Sequence, residues 1–266
     1  MEISEGIEIV DLALYLKKFR ALVIGDVHLG FEDVMNRQGI LLPRFQYKDT
    51  VDRLERIFEE VKARLGSRKL GSRKKLAEIK LAEIIVNGDL KHEFGEITGQ
   101  EWREILKFID FLLVHCEKVV LIKGNHDIIL QPIARKRSIE VQDHHVLGVP
   151  ESSYSIYIAH GHKIPEDADF KKAKTIIIGN EHPAVTIREG ARAELFKCFL
   201  KGKWKNKELI AMPSFNQITT GTDILKERLI SPLLHTSLKD FEAFVVADRV
   251  YWFGKLKNLR TLMSCS

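Results

Sequence analysis

Residues 21–25 form a short apolar run that turns polar at Asp26, the pattern of a buried strand rather than a helix. Residues 31–45 mix apolar and polar positions around Gly39 and Pro43 and read as a loop holding a helical turn at most. In residues 46–65 the apolar positions Val51, Leu54, Ile57, Phe58, Val61 and Leu65 recur every three or four residues, which predicts an amphipathic helix. Residues 84–87 read as a second buried strand, 101–114 as a second helix and 118–122 as a third strand. Such alternation predicts a parallel sheet covered on both faces. Past residue 150 the pattern changes: 153–159 alternate, 175–179 are apolar, and 184–187, 194–200, 208–212 and 242–253 read as strands joined by short turns. No Pro- or Ser-rich linker divides the halves, so residues 1–266 are expected to form one α/β domain.

Residues 65–84 break the pattern, spelling LGSRK twice and then KLAEI twice. The period is too short and the copies too few for a solenoid. The run is expected to be a surface insertion, either a duplicated exposed loop or a basic arm, because closure entropy grows slowly with loop length.

The chain is 45% hydrophobic and 30% charged, enough for a substantial core. No apolar run approaches the ~20 residues of a membrane-spanning helix, and the acidic N-terminus lacks a signal-peptide pattern, so a cytoplasmic protein with no membrane partner is expected. Cys116, Cys198 and Cys265 are widely spaced and include no Cys-x-x-Cys pair, which argues against both a disulfide framework and a structural zinc cluster. The formal charge of +5 suits a polyanionic partner. Residues 65–84, however, hold six basic and two acidic side chains, a net +4, so the other 246 residues carry only +1. Overall basicity is therefore a weak pointer to nucleic acid.

The strand ends are more informative. The first strand leads into Gly25-Asp26-Val27-His28, the second into Asn87-Gly88-Asp89 and the third into Gly124-Asn125-His126-Asp127. Later apolar runs end in His160-Gly161-His162 and Gly179-Asn180-Glu181-His182. In an open α/β sheet, side chains just beyond the carboxyl ends of neighbouring strands converge on one crevice. A lone histidine is more often a satisfied surface or core residue than a ligand, but five such endings in order form one oxygen and nitrogen donor set. That set suits a pair of hard or borderline divalent metals.

These motifs resemble those of the calcineurin-like metallophosphoesterases: Asp-x-His, Gly-Asp, Gly-Asn-His-Asp/Glu, a His before Gly, and Gly-His-x-His. Further segments resemble one branch, comprising archaeal phosphoesterases related to a double-strand-break-repair nuclease and bacterial DNA-ligase-associated phosphoesterases. They are Gly39-Ile40-Leu41-Leu42-Pro43-Arg44, Gly88-Asp89-Leu90-Lys91-His92, His182-Pro183-Ala184, Met212-Pro213-Ser214-Phe215-Asn216 and Gly221-Thr222. The resemblance implies a four-layer α/β/β/α sandwich of two mixed β-sheets flanked by helices, with two metals at one edge. It implies that Asp26, His28 and His182 hold the first metal, that Asp89 bridges, and that Asn125 and His160 hold the second. By the same resemblance His126 serves the substrate or leaving group, and Asp127 fixes its tautomer. A bridging water of lowered pKa would attack phosphorus in line.

One departure is Asn180, where the family has a second-metal histidine. Its carbonyl oxygen is a harder, weaker donor that favours manganese or magnesium over zinc at that position; of the two divalent ions expected, manganese leads, with magnesium, zinc and iron as alternatives. His162 could compensate by swinging inward, or could be a solvated residue past the strand end. Lys91 and Lys163 follow ligand positions, and Arg44 lies in a loop expected to face the crevice; each is a candidate phosphate contact as well as a plausible surface cation. His92, His115, His144, His145 and His235 lie outside the strand-end pattern and carry no expected metal role. Trp102, Trp204 and Trp252 read as packing residues, and residues 201–207 as a basic hairpin turn. Three readings stay open: a phosphodiesterase acting on substrates that include DNA or RNA, a small-molecule phosphoesterase, and a scaffold that keeps the fold without turnover. Oligomeric state is not encoded in these patterns.

Overall fold

The computed structural model describes residues 1–66, 80–93, 99–148, 154–190 and 192–259. Three strands precede the first expected one: β1 (Glu2–Ser4), β2 (Ile7–Val10) and β3 (Ala13–Leu16). Each is too short to show a period, and β2 and β3 join through a tight turn in which Asp11 takes φ 55°. With β4 (Ala21–Ile24), β5 (Leu81–Asn87), β6 (Cys116–Ile122) and β7 (Val141–Gln142) they form a seven-stranded sheet in sequence order. Strands β1 to β4 are antiparallel and β4 to β7 parallel, so the sheet is mixed, not wholly parallel as strand–helix alternation alone predicts. β5 begins inside the duplicated run, with Leu81, Ile84 and Ile85 buried. Its second KLAEI copy is therefore sheet rather than surface insertion, and residues 67–79 lie outside the described residues.

The second sheet holds β8 (His144–Gly148), β9 (Ser155–Ala159), β10 (Thr175–Ile178), β11 (Pro183–Glu189), β12 (Arg192–Trp204), β13 (Lys207–Ala211) and β14 (Thr222–Asp223). Their order is β14-β11-β12-β13-β10-β9-β8, with β15 (Glu242–Val246) paired to β12 and β16 (Val250–Lys255) to β15. Residues 242–253 are thus a hairpin. Trp252 on it is 59% exposed, against the packing role expected of it, because β16 pairs with β15 alone. Trp204 does pack, against Phe170 at 5.6 Å between ring centroids, and the 201–207 turn forms as expected.

Among the described residues five α-helices accompany the sheets: α1 (Phe31–Arg37), α2 (Gln46–Gly66), α3 (Gly99–His115), α4 (Gln131–Arg135) and α5 (Ala168–Lys172). α1 occupies the segment whose pattern suggested a loop. Its register is set by polar contacts, since the Glu32 carboxylate accepts the N–H groups of Phe45 at 2.8 Å and Gln46 at 2.6 Å. Leu54, Ile57, Phe58 and Val61 of α2, and Ile105, Phe108, Ile109 and Leu112 of α3, join the core of the first sheet. In the second sheet the period of two divides the side chains. Ile156, Ile158, Ile177, Phe199 and Ile210 point into the core shared with the first sheet, while Tyr157, Ile176, Ile178, Leu200 and Leu209 face a second cluster with Phe170, Leu233 and Leu234. Two mixed sheets flanked by helices result. Among the described residues no helix is long and apolar enough to cross a membrane.

Candidate metal centre

β4, β5 and β6 are parallel neighbours in one sheet, and β9 and β10 in the other, so their carboxyl ends deliver the five polar endings to one edge. Asp26, His28, Asp89, Asn180 and His182 all take positive φ, between 44° and 60°. They are five of nine such non-glycine residues among the described ones, and each conformation costs about 1–3 kcal/mol unless its surroundings impose it. Here the loops brace one another: Asp26 N–H donates to the Gly88 carbonyl at 3.1 Å and His28 N–H to the Asp89 carbonyl at 2.9 Å. Gly88 and Gly124 permit this closeness, because a Cβ at Gly88 would collide with the His160 ring and one at Gly124 with the Asp89 carboxylate.

Two donor groups result, Asp26 with His28 and His182, and Asp26 with Asp89 and His160, each with its ligand atoms within 4.8 Å of one another. His160 Nε2 lies 2.9 Å from Asp26 Oδ1 and 3.4 Å from Asp89 Oδ2, while His182 Nε2 lies 3.1 Å from Asp26 Oδ1. Asp26 is thus common to both groups, and Asp89 also faces His28, with Oδ2 at 3.9 Å from Nε2. Asn125 Oδ1 is buried without a hydrogen-bond partner, an oxygen that suits a cation.

The electrostatics favour added positive charge. Burial opposes ionisation of Asp26, yet the charge on His182 and the hydrogen bond from His160 hold its carboxyl well below the usual range. Burial pushes Asp89 up to about 7, with His160 pulling it down and Asp26 and Asp127 adding repulsion. Burial pushes His28 down to about 2, which leaves a neutral imidazole with a lone pair to give. Burial opposes a proton on His160, yet the hydrogen bond and attraction to Asp26 raise its pKa, so a cation there would displace that proton. Two carboxyls, imidazole nitrogens and an amide oxygen form a donor set that fits divalent cations.

Other expectations are revised. Asp127 does not fix the His126 tautomer. Its buried carboxylate accepts Gly124 N–H at 2.9 Å and the Leu90 and Lys91 N–H groups at 3.4 Å, bracing the two motif loops. His126 Nδ1 instead meets the His92 carbonyl, and its backbone N–H donates to Asp89 Oδ1 at 2.8 Å. Lys91 is not a surface lysine: it is fully buried, with its ammonium on the Glu93 carbonyl. Arg44 is exposed and engaged by Gln100 at 2.7 Å and Asp33 at 3.5 Å, whereas Lys163 is exposed beside His162. His162 does not swing in among the ligands, because its Nδ1 lies 3.1 Å from His160 Nδ1, on the far side of that ring from Asp26. Asn180 gives its backbone N–H to the Asp26 carboxylate at 3.1 Å.

His92 enters the site although no role was expected of it. Its Nδ1 lies 3.3 Å from His28 Nδ1, its ring stacks at 21° on His126, and the three rings form a further donor group. Its position three residues past Asp89 on the same loop is the signal that marks it. His115 stacks on Phe58, His145 pairs with Glu83 at 3.1 Å, and His235 reaches the Leu229 carbonyl, all outside the centre. His144 stacks on Tyr157 and joins Asp167 and Asp169 in an outlying group, but the Asp167 oxygens already accept from Phe170 N–H and the Tyr157 hydroxyl. A crevice of about 550 Å³ opens at the centre between His28, His92, His126, His182, Asn216 and residues 218–222.

No curated protein matches the sequence. Among solved structures, the nuclease MPE of Pseudomonas putida is similar with 21% identity over 91% of this chain and 92% of its own, at a TM-score of 0.55, which shows a shared fold. The phosphoesterase Yfce from E. coli aligns with 10% identity over 89% and 97%, at a TM-score of 0.43. A Vps29 mutant from Entamoeba histolytica aligns with 15% identity over 87% and 96%, at 0.35. The family model for calcineurin-like phosphoesterases matches residues 19–213, a span that holds all five strand endings. The chain therefore belongs to the calcineurin-like phosphoesterase family, hydrolases of phosphoric ester bonds.

Proposed function

We propose that the protein is a phosphodiesterase acting on nucleic acid, with two divalent cations held by the paired donor groups. The observation that carries this reading is the buried Asp26 carboxylate shared between the His28–His182 and Asp89–His160 groups. Asn125 and Asn180 would add amide oxygens to the second ion, which favours manganese over zinc. Such ions supply positive charge for the phosphate oxygens and lower the pKa of water. Around them, the chain positions and moves protons. With Nδ1–H held by the His92 carbonyl, His126 turns Nε2 to within 3.8 Å of Asp89 Oδ2; burial lowers its pKa, and it would pass a proton from Nε2 to a leaving oxygen only from its imidazolium form. Asp127 holds the loops on which Asp89 and His126 sit. Exposed Lys163 and Arg44 would supply cations to the non-reacting phosphate oxygens, Arg44 by leaving an exposed pairing that is worth little.

The nucleic-acid reading is supported by a nuclease that shares the fold and by segments such as His182-Pro183-Ala184 and Met212-Pro213-Ser214, which favour the repair-nuclease-related and DNA-ligase-associated branch. Buried free Cys116 and Cys198 suit a reducing cytoplasm, and the core shared by both sheets suits a single domain over residues 1–266. The deciding assay compares single-stranded and duplex oligonucleotides, cyclic nucleotides, a phosphomonoester and bis(p-nitrophenyl) phosphate with Mn²⁺, beside an Asp89→Asn control. Turnover of the oligonucleotides that disappears in the control is expected. Turnover of small phosphoesters alone would replace nucleic acid as the substrate, and equal inertness of both proteins after metal loading would leave a scaffold.

A further inference from the structure

We infer that Lys197 is a positioning residue for the Asp26 carboxylate, acting through the arch formed by Ser214, Phe215 and Asn216. Lys197 lies on β12 opposite Ala184 of β11, the strand that follows His182. Its ammonium donates to the Ser214 carbonyl at 2.7 Å and to the Asn216 carbonyl, closing the arch from one side. On the other side the arch grips the Asp26 loop. Phe215 N–H donates to the Gly25 carbonyl at 2.8 Å, Asn216 N–H to the Asp26 carbonyl at 3.1 Å, and the Ser214 hydroxyl to that same carbonyl at 3.1 Å. Asp26 needs such a grip, because its left-handed backbone persists only when neighbouring contacts impose it. Beyond the arch, the Asn216 side chain accepts Ile218 N–H at 2.8 Å and starts the crevice wall.

Two carbonyls facing the same way repel, and a donor between them removes the repulsion. An apolar side chain would leave both without this partner. Burial, with repulsion from Arg53 on α2, pushes the ammonium down to about 7, and attraction to Asp26 opposes the fall. Charged or neutral, the amine keeps the two N–H donors that the Ser214 and Asn216 carbonyls need, on the strand behind the metal centre.

This inference rests on the two-cation reading, and its test separates the two. Lys197→Met removes the donors at similar length, and Lys197→Arg restores them. Mn²⁺ binding is followed by the EPR signal of free ion, and kcat and KM by bis(p-nitrophenyl) phosphate turnover, with circular dichroism to check folding. In Lys197→Met the affinity for Mn²⁺ should fall about 10-fold or more, the range for residues that orient ligands, with kcat falling and KM little changed; Lys197→Arg should recover most of both. Ser214→Ala, which removes the hydroxyl that donates to the Asp26 carbonyl and accepts Asn216 N–H at 3.1 Å but leaves the Lys197 bonds, should show a smaller loss of the same kind and serves if Lys197→Met fails to fold. Wild-type Mn²⁺ affinity and kcat in a folded Lys197→Met, or in Ser214→Ala where that variant must serve, would overturn the inference. Wild-type protein that binds Mn²⁺ without turnover would defeat the phosphodiesterase reading while the Mn²⁺ isotherms still decide on Lys197.

Discussion

Replacing Asp127 distinguishes a brace from a catalytic orienter. The carboxylate is 1% exposed and holds one strong bond, from Gly124 N–H at 2.9 Å to Oδ2, and two weaker ones at 3.4 Å, from Leu90 to Oδ2 and from Lys91 to Oδ1. Asp127→Ala strands all three buried donors. A stranded donor costs about 1–3 kcal/mol, with the shortest bond dominating, and part is recovered because the buried carboxylate itself was destabilised. Burial raises the Asp127 carboxyl above its ordinary pKa against the pull of those three bonds, so part of the loss is offset. The balance is about 3 kcal/mol for Ala, or a fall of about 6–12 °C in Tm for a chain of this size. Asp127→Asn can turn its oxygen to Gly124 and Leu90, leaving only Lys91 facing an amide N–H, so about 1 kcal/mol and about 2–4 °C are expected. Thermal melts of the metal-free proteins give the order wild type, Asn, Ala. An Ala variant melting within about 2 °C of wild type would refute the bracing role; if it also lost kcat, the orienting role would return.

Gly124→Ala should bind Mn²⁺ at least about 10-fold more weakly, since the new Cβ collides with the Asp89 carboxylate and its backbone nitrogen; a metal titration reads this, with circular dichroism to check folding. The folded Asp89 pKa lies near 7, above its ordinary 3.8, so the metal-free folded state binds more protons than the unfolded one and loses stability as pH rises between those values. Mn²⁺ binding should consequently expel more protons at pH about 6 than at about 8.5, which calorimetry in buffers of different ionisation enthalpy will show. Phe199→Ala, at a fully buried position between the sheets, should lower unfolding stability by about 3–5 kcal/mol in urea melts, with the m-value unchanged.

The centre was legible where chemistry and position coincide locally: an apolar run followed by Asp, His or Asn names both a strand and its ligand. All five endings meet at one edge because their strands are parallel neighbours. What escaped the sequence depends on contacts far apart along the chain. Ser214, in a segment marked by resemblance alone, reaches Asp26 across 188 residues, and Lys197, with no local mark, closes on Asn216 across 19. Lys91 reads as either a phosphate contact or a surface cation, because lysines rarely lie inside, yet it is fully buried. Asp127 reads as a partner of the adjacent His126, while its oxygens turn to the backbone of its own loop and its neighbour. β1 to β3 are strands because neighbours supply their ladder, not because three or four residues declare a period.

Asn180 shows how side-chain and backbone roles at one position can be separated. From the side chain alone, asparagine in place of histidine implies a weaker second ion. The backbone adds a second task, since Asn180 N–H supports the Asp26 carboxylate from a left-handed conformation, φ 60°, that asparagine tolerates better than most residues. Asn180→Gly keeps the N–H and relaxes the conformation while deleting the amide oxygen. If that oxygen is a ligand, the variant should retain the first Mn²⁺ and lose about 10-fold in affinity for the second, whereas Asn180→His should tighten the second. Two ions bound by Asn180→Gly with unchanged affinities would assign the position's whole contribution to its backbone.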